Sequence, residues 1–331
     1  MWLLVTVVLF SFIEDGGSKF SEVPTILVSR CENGDFSRVQ DAVDSLPSNN
    51  SEWVRIHVAA GVYEEKVTIP KDKPNIALIG DGRAVTVIQW SVAGYPKMNS
   101  AFTVLASNFT AANISFKNLY NAYLISSGDE TMKSLAGGIL QAPAAFVRGD
   151  GNAFYNCGFH SVQDTLGDIE GRHFYKHCYI EGAIDFIWGF GQSVFEACTI
   201  NATTAVLNGT VGTITAQGRS SGDDESGFVF LSCSIVGDAW VLLGRAYRRY
   251  SRVVFKDTFM SRVISPVGWN AWHSAGTEED VTYVEIDCKG PGANKDGRVK
   301  WEKACDFHDL QLLTDVNAFI NQGRWIQNQP R

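Results

Sequence analysis

Short runs of β-branched and aromatic residues recur along this chain, each ended by Gly, Asn, Asp or a charged residue before the next begins. Phe154-Tyr155-Asn156-Cys157-Gly158-Phe159 is echoed by Phe174-Tyr175-Lys176-His177-Cys178-Tyr179, with the two cysteines 21 residues apart. Phe195-Glu196-Ala197-Cys198-Thr199-Ile200 places its cysteine 20 residues further on, and Phe230-Leu231-Ser232-Cys233-Ser234-Ile235 follows after an interval with room for a loop insertion. Val85-Thr86-Val87-Ile88 and Ile114-Ser115-Phe116, upstream, have the same character. Runs this short and this rich in β-branched and aromatic residues favour strands, and a repeat of about 20 residues built from them is one turn of a parallel β-coil. An all-β solenoid is expected, with equivalent positions stacked about 4.8 Å apart.

Two segments depart from that pattern. Phe36, Val39, Ala42, Val43 and Leu46 share one helical face behind Asp35, which is placed to cap it. A second helix is expected over Asp315 to Ile320, after Thr314 and before Gly323. A solenoid has open ends, so short helices near both termini are expected to cover them.

Length alone, 331 residues, suggests two domains. A solenoid runs long as one unit, however, and no Pro/Ser-rich linker or charge block divides the chain. Met1 to Phe12 is almost wholly apolar and gives way to polar and glycine residues, as a signal peptide would, although no basic residue precedes the run. The division expected is a signal peptide over 1–20 and one domain over 21–331; a buried N-terminal strand is the alternative. The apolar run is too short for a membrane span. Export fits Asn-x-Ser/Thr triplets at Asn49, Asn108, Asn113, Asn201 and Asn208, of which Asn113 lies in a strand-like run unsuited to a glycan. Seven cysteines leave at least one unpaired in a monomer, and those of the repeat can equally be small inward-facing apolar residues. Net charge is −8, which argues against nucleic acid and against holding an anionic polymer by bulk charge.

Asp164 and Asp185 each lie seven residues after the cysteine of their own copy of the repeat. The solenoid therefore stacks two carboxylates one strand spacing apart. Two carboxylates that close resist ionising together, which separates their pKa values and makes an acid and a nucleophile from one residue type.

Gly182-Ala183-Ile184-Asp185-Phe186-Ile187-Trp188-Gly189, together with Gln163-Asp164-Thr165-Leu166, Leu243-Gly244-Arg245 and Gly61-Val62-Tyr63-Glu64-Glu65, resembles the plant pectin methylesterases. The resemblance extends from about Phe36 to Trp325. It implies a right-handed parallel β-helix, secretion to the cell wall, hydrolysis of methyl esters on polygalacturonate and no metal or organic cofactor. The matched positions begin soon after the signal-like segment, which leaves no room for the inhibitor-like pro-region that many members carry. A monomer is expected, and a proteinaceous pectinesterase inhibitor is a candidate partner.

Ester hydrolysis by a carboxylate needs an ionised attacker, a proton donor for the leaving alkoxide, donors for the oxyanion and a group that orients the attacker. Asp185 is expected to attack and Asp164 to protonate methanol and then activate water, with Arg245 pairing with Asp185 and lowering its pKa. Gln141 and Gln163, 22 residues apart, are assigned to the oxyanion by the resemblance. Gln163 adjoins Asp164, and neighbours on a straight strand face opposite ways, so both reach substrate only at a bend or strand end. Trp188, Tyr247, Trp269 and Trp272 are candidates for stacking on sugar rings, the alternative for each being a place in the core.

Three further patterns carry less. Gly189-Phe190-Gly191 lacks the βαβ context of a dinucleotide loop, His173 and His177 have no third zinc ligand, and Asp223-Asp224-Glu225 reads as a solvated loop tip more than a calcium site. The chain also departs from the family pattern. Ala246-Tyr247 stand where Pro-Trp is usual, Pro143 where valine is common, and Phe190 where asparagine commonly follows the glycine. Cys198 and Cys233 match positions paired in related plant enzymes, so a bridge is expected there, with Cys157 free or paired with Cys178. Two other readings use the same fold: a β-helix lyase or polygalacturonase, for which Gly-His-Gly and a calcium-binding aspartate cluster are missing, and a non-catalytic wall protein that binds pectin or an inhibitor.

Overall fold

A computed structural model describes residues 23–31, 33–95, 99–126, 138–304 and 307–330. The signal segment expected over 1–20 lies outside the described residues. Within them the chain winds as a right-handed parallel β-helix. Three sheets, one of ten strands and two of eight, run along its length, and every strand pair is parallel. Successive coils advance by about one repeat: Phe154 pairs with Tyr175, Tyr175 with Phe195 and Phe195 with Phe230, the last step carrying the expected insertion.

That register turns the sequence repeat into stacks. Inside the ten-stranded sheet the rings of Phe154, Tyr175, Phe195, Phe230 and Phe255 lie 4.4–5.1 Å apart and nearly parallel. Each ring pair adds about 0.5–1.5 kcal/mol beyond the area it buries. At the next corner Asn156, His177, Ala197, Ser232, Asp257 and Asp287 all take left-handed backbone, which turns the chain into the following sheet.

Cys157, Cys178, Cys198 and Cys233 follow that corner and line the core. Their thiols are free, contrary to the bridge expected between Cys198 and Cys233. In-register parallel neighbours project their side chains the same way, and three of the thiols point at a carbonyl of the preceding coil: Cys178 Sγ donates to Phe154 O, Cys198 Sγ to Tyr175 O and Cys233 Sγ to Phe195 O, while Cys157 Sγ donates to Tyr155 O of its own coil.

The ends are closed differently from the expectation. The first helix is Val39–Ser45, and Asp35 does not cap it; that carboxylate accepts from Leu27 N–H instead. Glu65 performs the task from a distance in sequence, accepting from the N–H groups of Val39 and Gln40 at 2.8 and 3.0 Å.

Near the C-terminus, Phe307–Thr314 and Val316–Phe319 are helical, the second capped by Asp315. These elements do not cover the last coil. They lie across the outer face of the ten-stranded sheet, where Phe319, Ile320, Trp325 and Ile326 pack on a stripe formed by Ala153, Phe174, Val194, Val229, Val254 and Val284. Six consecutive strands carry an apolar residue outward there, which requires a cover. The last coil is closed by a loop instead: Val299 and Trp301 pack against the core, and Arg298 forms a buried pair with Glu285.

Candidate active site

One eight-stranded sheet presents a row of positions to a single cleft. Its successive strands Ala145–Arg148, Leu166–Glu170, Ile184–Gly189, Gly212–Gln217 and Val241–Arg245 contribute Phe146, Ile169, Trp188, Ala216 and Arg245, and Asp185 is the second residue of the third. The cleft has a volume of about 670 Å³. Gln141, Gln163, Asp164, Asp185, Trp188, Arg245, Tyr247 and Trp272 all line it, so eight of the nine expected site residues meet there.

The ninth, Trp269, is corrected. It is 2% exposed and stacks on Tyr283 at 4.4 Å inside the solenoid. The alternation of a strand explains why: Trp269 and Asn270 form the last strand of the sheet, and with Trp269 inward the chain must turn before Trp272 can face the cleft.

The two aspartates occupy the same corner of successive coils. Gln163 bridges Ile184, and Asp164 N–H donates to Ile184 O at 3.0 Å, so Asp164 lies beside Asp185. Both have left-handed backbone, φ 61° and 48°. Non-glycine residues in that conformation are uncommon, aspartate being among the more tolerant, and they concentrate where surrounding structure holds them for a purpose. The conformation resolves the difficulty of adjacent Gln163 and Asp164 both facing the cleft. Asp164 sits at a corner between Gly158–His160 and Leu166–Glu170, where strand alternation is suspended. Beyond Asp185 the register with the next strand shifts between Ile184 and Ile187, a bulge of the kind found beside active sites.

Although both carboxylates are buried, 5% and 7% exposed, their surroundings differ. Arg245 grips Asp185 with two parallel bonds, Nε to Oδ1 at 2.7 Å and Nη2 to Oδ2. Asp164 has no ion pair among the described residues. Burial, then the charge of Asp185, push its carboxyl up to about 8, with Arg245 opposing only as a more distant charge. Burial also raises Asp185 above the ordinary carboxylate range, and Arg245 offsets part of that rise. The rise of Asp164 is as expected. The sign for Asp185 is not: the arginine limits its rise and does not carry it below normal.

Gln141 and Gln163 leave their side-chain amides unengaged by other described residues and available to the cleft. Pro143 costs the ladder no bond here, since Gln163 O accepts from Ala142 N–H.

The aromatic residues have structural tasks as well. Trp188 donates its indole N–H to Asp164 O at 3.1 Å, bracing the backbone of that aspartate. Trp272 also has left-handed backbone, φ 42°, and lays its ring 3.9 Å from the Arg245 guanidinium. Tyr247 is 37% exposed, its ring 5.7 Å from Trp272 and 5.8 Å from Phe190.

Phe146, Arg148 and Arg248 line the cleft without having been named from sequence, and Phe190, noted there only as a departure from the family pattern, lines it too. For Phe146 a signal existed: it pairs with Gly167, which pairs with Trp188, so stepping back two repeats from Trp188 finds it. His173 is no zinc ligand; it lies between Asp168 Oδ2 at 3.0 Å and Gly149 O at 2.8 Å in the core. The glycines of Gly189-Phe190-Gly191 form a turn whose Phe190 and Gly191 N–H groups both donate to Asp168 O.

The pectinesterase family model matches residues 25–324. Probable pectinesterase 55 of Arabidopsis thaliana is 40% identical over 306 residues, 92% of this chain and 91% of that protein. Among solved structures, the pectin methylesterase from carrot superposes with a TM-score of 0.84 at 30% identity, over 94% of this chain and 97% of that one. The enzyme from Aspergillus niger superposes at 0.76 with 26% identity, over 95% and 98%. Matches that span nearly the whole chain, and that include the stretch carrying both aspartates, place it in the pectinesterase family, enzymes that hydrolyse the methyl esters of pectin.

Proposed function

We propose that the chain demethylates polygalacturonate through an acyl-enzyme on Asp185. The observation that carries this reading is the asymmetry between two aspartates at one corner, one held by arginine and the other not. An Asp185 oxygen attacks the ester carbonyl carbon, and the amides of Gln141 and Gln163 donate to the oxygen that gains charge. The bond to the methoxyl oxygen breaks as Asp164 transfers its proton to it, releasing methanol and leaving an anhydride between Asp185 and the galacturonosyl unit. Asp164, now ionised, takes a proton from water, and the hydroxide attacks the acyl carbon. Asp185 departs as a carboxylate, the product is a free uronic acid, and Asp164 is again protonated.

A carboxyl titrating near 8 is protonated at neutral pH, which supports the acid role. Arg245 supports ionisation of Asp185 in a buried site that would otherwise neutralise it.

Action outside the cell, on the wall, is the companion proposal. Its support is the apolar leader-like run and the exposure of Asn49, Asn108 and Asn208, three of the Asn-x-Ser/Thr positions. A monomer, and a proteinaceous inhibitor as partner, remain part of the proposal.

The test is methanol release from methylated pectin by the purified protein in excess chelator. Methanol without unsaturated oligomers is expected. Activity that chelator removes and calcium restores, with unsaturated product, would install a lyase in its place. No turnover of any kind would leave a binding protein.

A further inference from the structure

The cleft faces an acidic polymer from a protein of net charge −8, so its local charges decide how the chain is held. Three arginines line it. Arg245 is committed to Asp185, and Arg148 is committed to Glu170 at 2.5–2.6 Å. Arg248 differs from both. It is exposed, it forms no ion pair or side-chain hydrogen bond with another described residue, and it lies with its guanidinium 4.5 Å from the centre of the Phe190 ring. Phe190 in turn meets Tyr247 at 5.8 Å, so the arginine rests on an aromatic floor continuous with the cleft wall.

A guanidinium stacked on a ring keeps its plane fixed and its N–H edge free, and that edge matches a carboxylate with two parallel bonds. Methyl esters carry no charge and offer it little. A uronic acid unit that has already lost its methyl group offers a carboxylate. Phe190 also lines a neighbouring cleft of about 760 Å³, so the arginine's platform lies where one cleft passes into the next, along the path a polymer would follow.

We propose that Arg248, seated on Phe190, binds a free galacturonate carboxylate of the polymer away from the ester being cut; this rests on the esterase reading above. The enzyme then favours chain that is already partly demethylated. The floor departs from the family pattern noted above, in which asparagine commonly stands at the position of Phe190.

The probe is a fully demethylated galacturonate oligomer, a product that the wild-type protein binds without turning over, titrated by calorimetry. Arg248→Gln is expected to bind it about tenfold more weakly than wild type and with a shallower dependence on salt. Arg248→Lys, which keeps the charge but not the planar fork, is expected to fall between, and Phe190→Ala to weaken binding while leaving the arginine in place. In turnover, the ratio of kcat/KM on half-demethylated to fully methylated pectin is expected to drop in Arg248→Gln. Equal affinity of Arg248→Gln and wild type for the acid oligomer, or an unchanged ratio, would overturn the assignment. Arg248→Lys matching wild type would overturn the role of the platform. Absence of methanol release by the wild-type protein would instead remove the esterase reading itself.

Discussion

Asp164 and Asp185 are the same residue type at the same corner of adjacent coils, with the same left-handed backbone and nearly the same burial. Nothing local separates them. What separates them is Arg245, 60 residues beyond Asp185, which a later coil of the same sheet delivers to one carboxylate and withholds from the other. A solenoid makes equivalent positions by default, and difference must be imported from another coil. The proposed acid and the proposed nucleophile are therefore properties of the stack, and neither coil could supply both.

Removing the nucleophile should break the comparison most completely. Asp185→Asn is nearly isosteric and keeps the backbone corner, yet cannot form the acyl-enzyme; kcat is expected to fall by at least about 10⁴-fold in protein whose circular dichroism is unchanged. Near-normal methanol release from that folded variant would end the covalent scheme.

Erasing the imported difference comes next. Arg245→Lys replaces a bidentate fork by a point charge, so kcat is expected to drop on the order of 10²-fold and the acidic limb of the pH profile to move upward as Asp185 loses its hold on ionisation. An acidic limb that stays in place would show that Arg245 does not control Asp185.

Asp164 sharpens the comparison through pH. Its folded pKa, about 8, lies above the ordinary 3.8, so the folded state keeps a proton that the unfolded chain releases. Activity that needs this proton is expected to decline as pH rises through about 8. Stability moves the same way: the advantage of the bound proton is complete below about 4 and is lost as pH rises towards 8. Asp164→Asn, permanently neutral, is therefore expected to lose most activity and yet melt roughly 2 °C or more above wild type at pH 7, the gap closing near pH 4. A variant that melts lower at pH 7 would contradict the raised pKa.

The smallest effect concerns the brace. Trp188→Phe keeps a ring in the cleft but removes the N–H that holds Asp164 O. One such bond is worth about 1 kcal/mol, so kcat is expected to fall roughly fivefold to tenfold with KM little changed. A rise in KM alone would return Trp188 to a purely sugar-stacking role.

Much of the fold was legible because the repeat is written in residue types: aromatic, corner residue, cysteine, then aspartate, at nearly constant intervals. The stacking of Asp164 on Asp185 follows from that interval alone, whereas the place of Gln141, Gln163 and Arg245 beside them was read from the family resemblance. The failures have a common cause, which is that long-range partners leave no local trace. Asp35 looks like a helix cap and is not, because Glu65 reaches the helix first. Trp269 and Trp272 are both tryptophans beside one motif, and only the backbone turn between them decides which is core. Trp272 looked like a sugar platform alone, but its ring lies on Arg245, so its loss is expected to reach kcat as well as KM.

The outer stripe on the ten-stranded sheet has a consequence for how the molecule is made. Its lid is assembled from residues from Leu310 onward, and Gln329 reaches back to hydrogen-bond Gly151, 178 positions earlier in the chain. During synthesis from the N-terminus the coils can wind in order as they emerge, but the stripe that they jointly create stays bare until the last part of the described chain has been translated. Each new coil lengthens an uncovered apolar surface, so the growing chain is stickiest just before the covering segment around Phe319 to Ile326 emerges. Premature termination between Val284 and Leu310 would release a wound solenoid with that surface unmasked, a species fit for aggregation or for quality control.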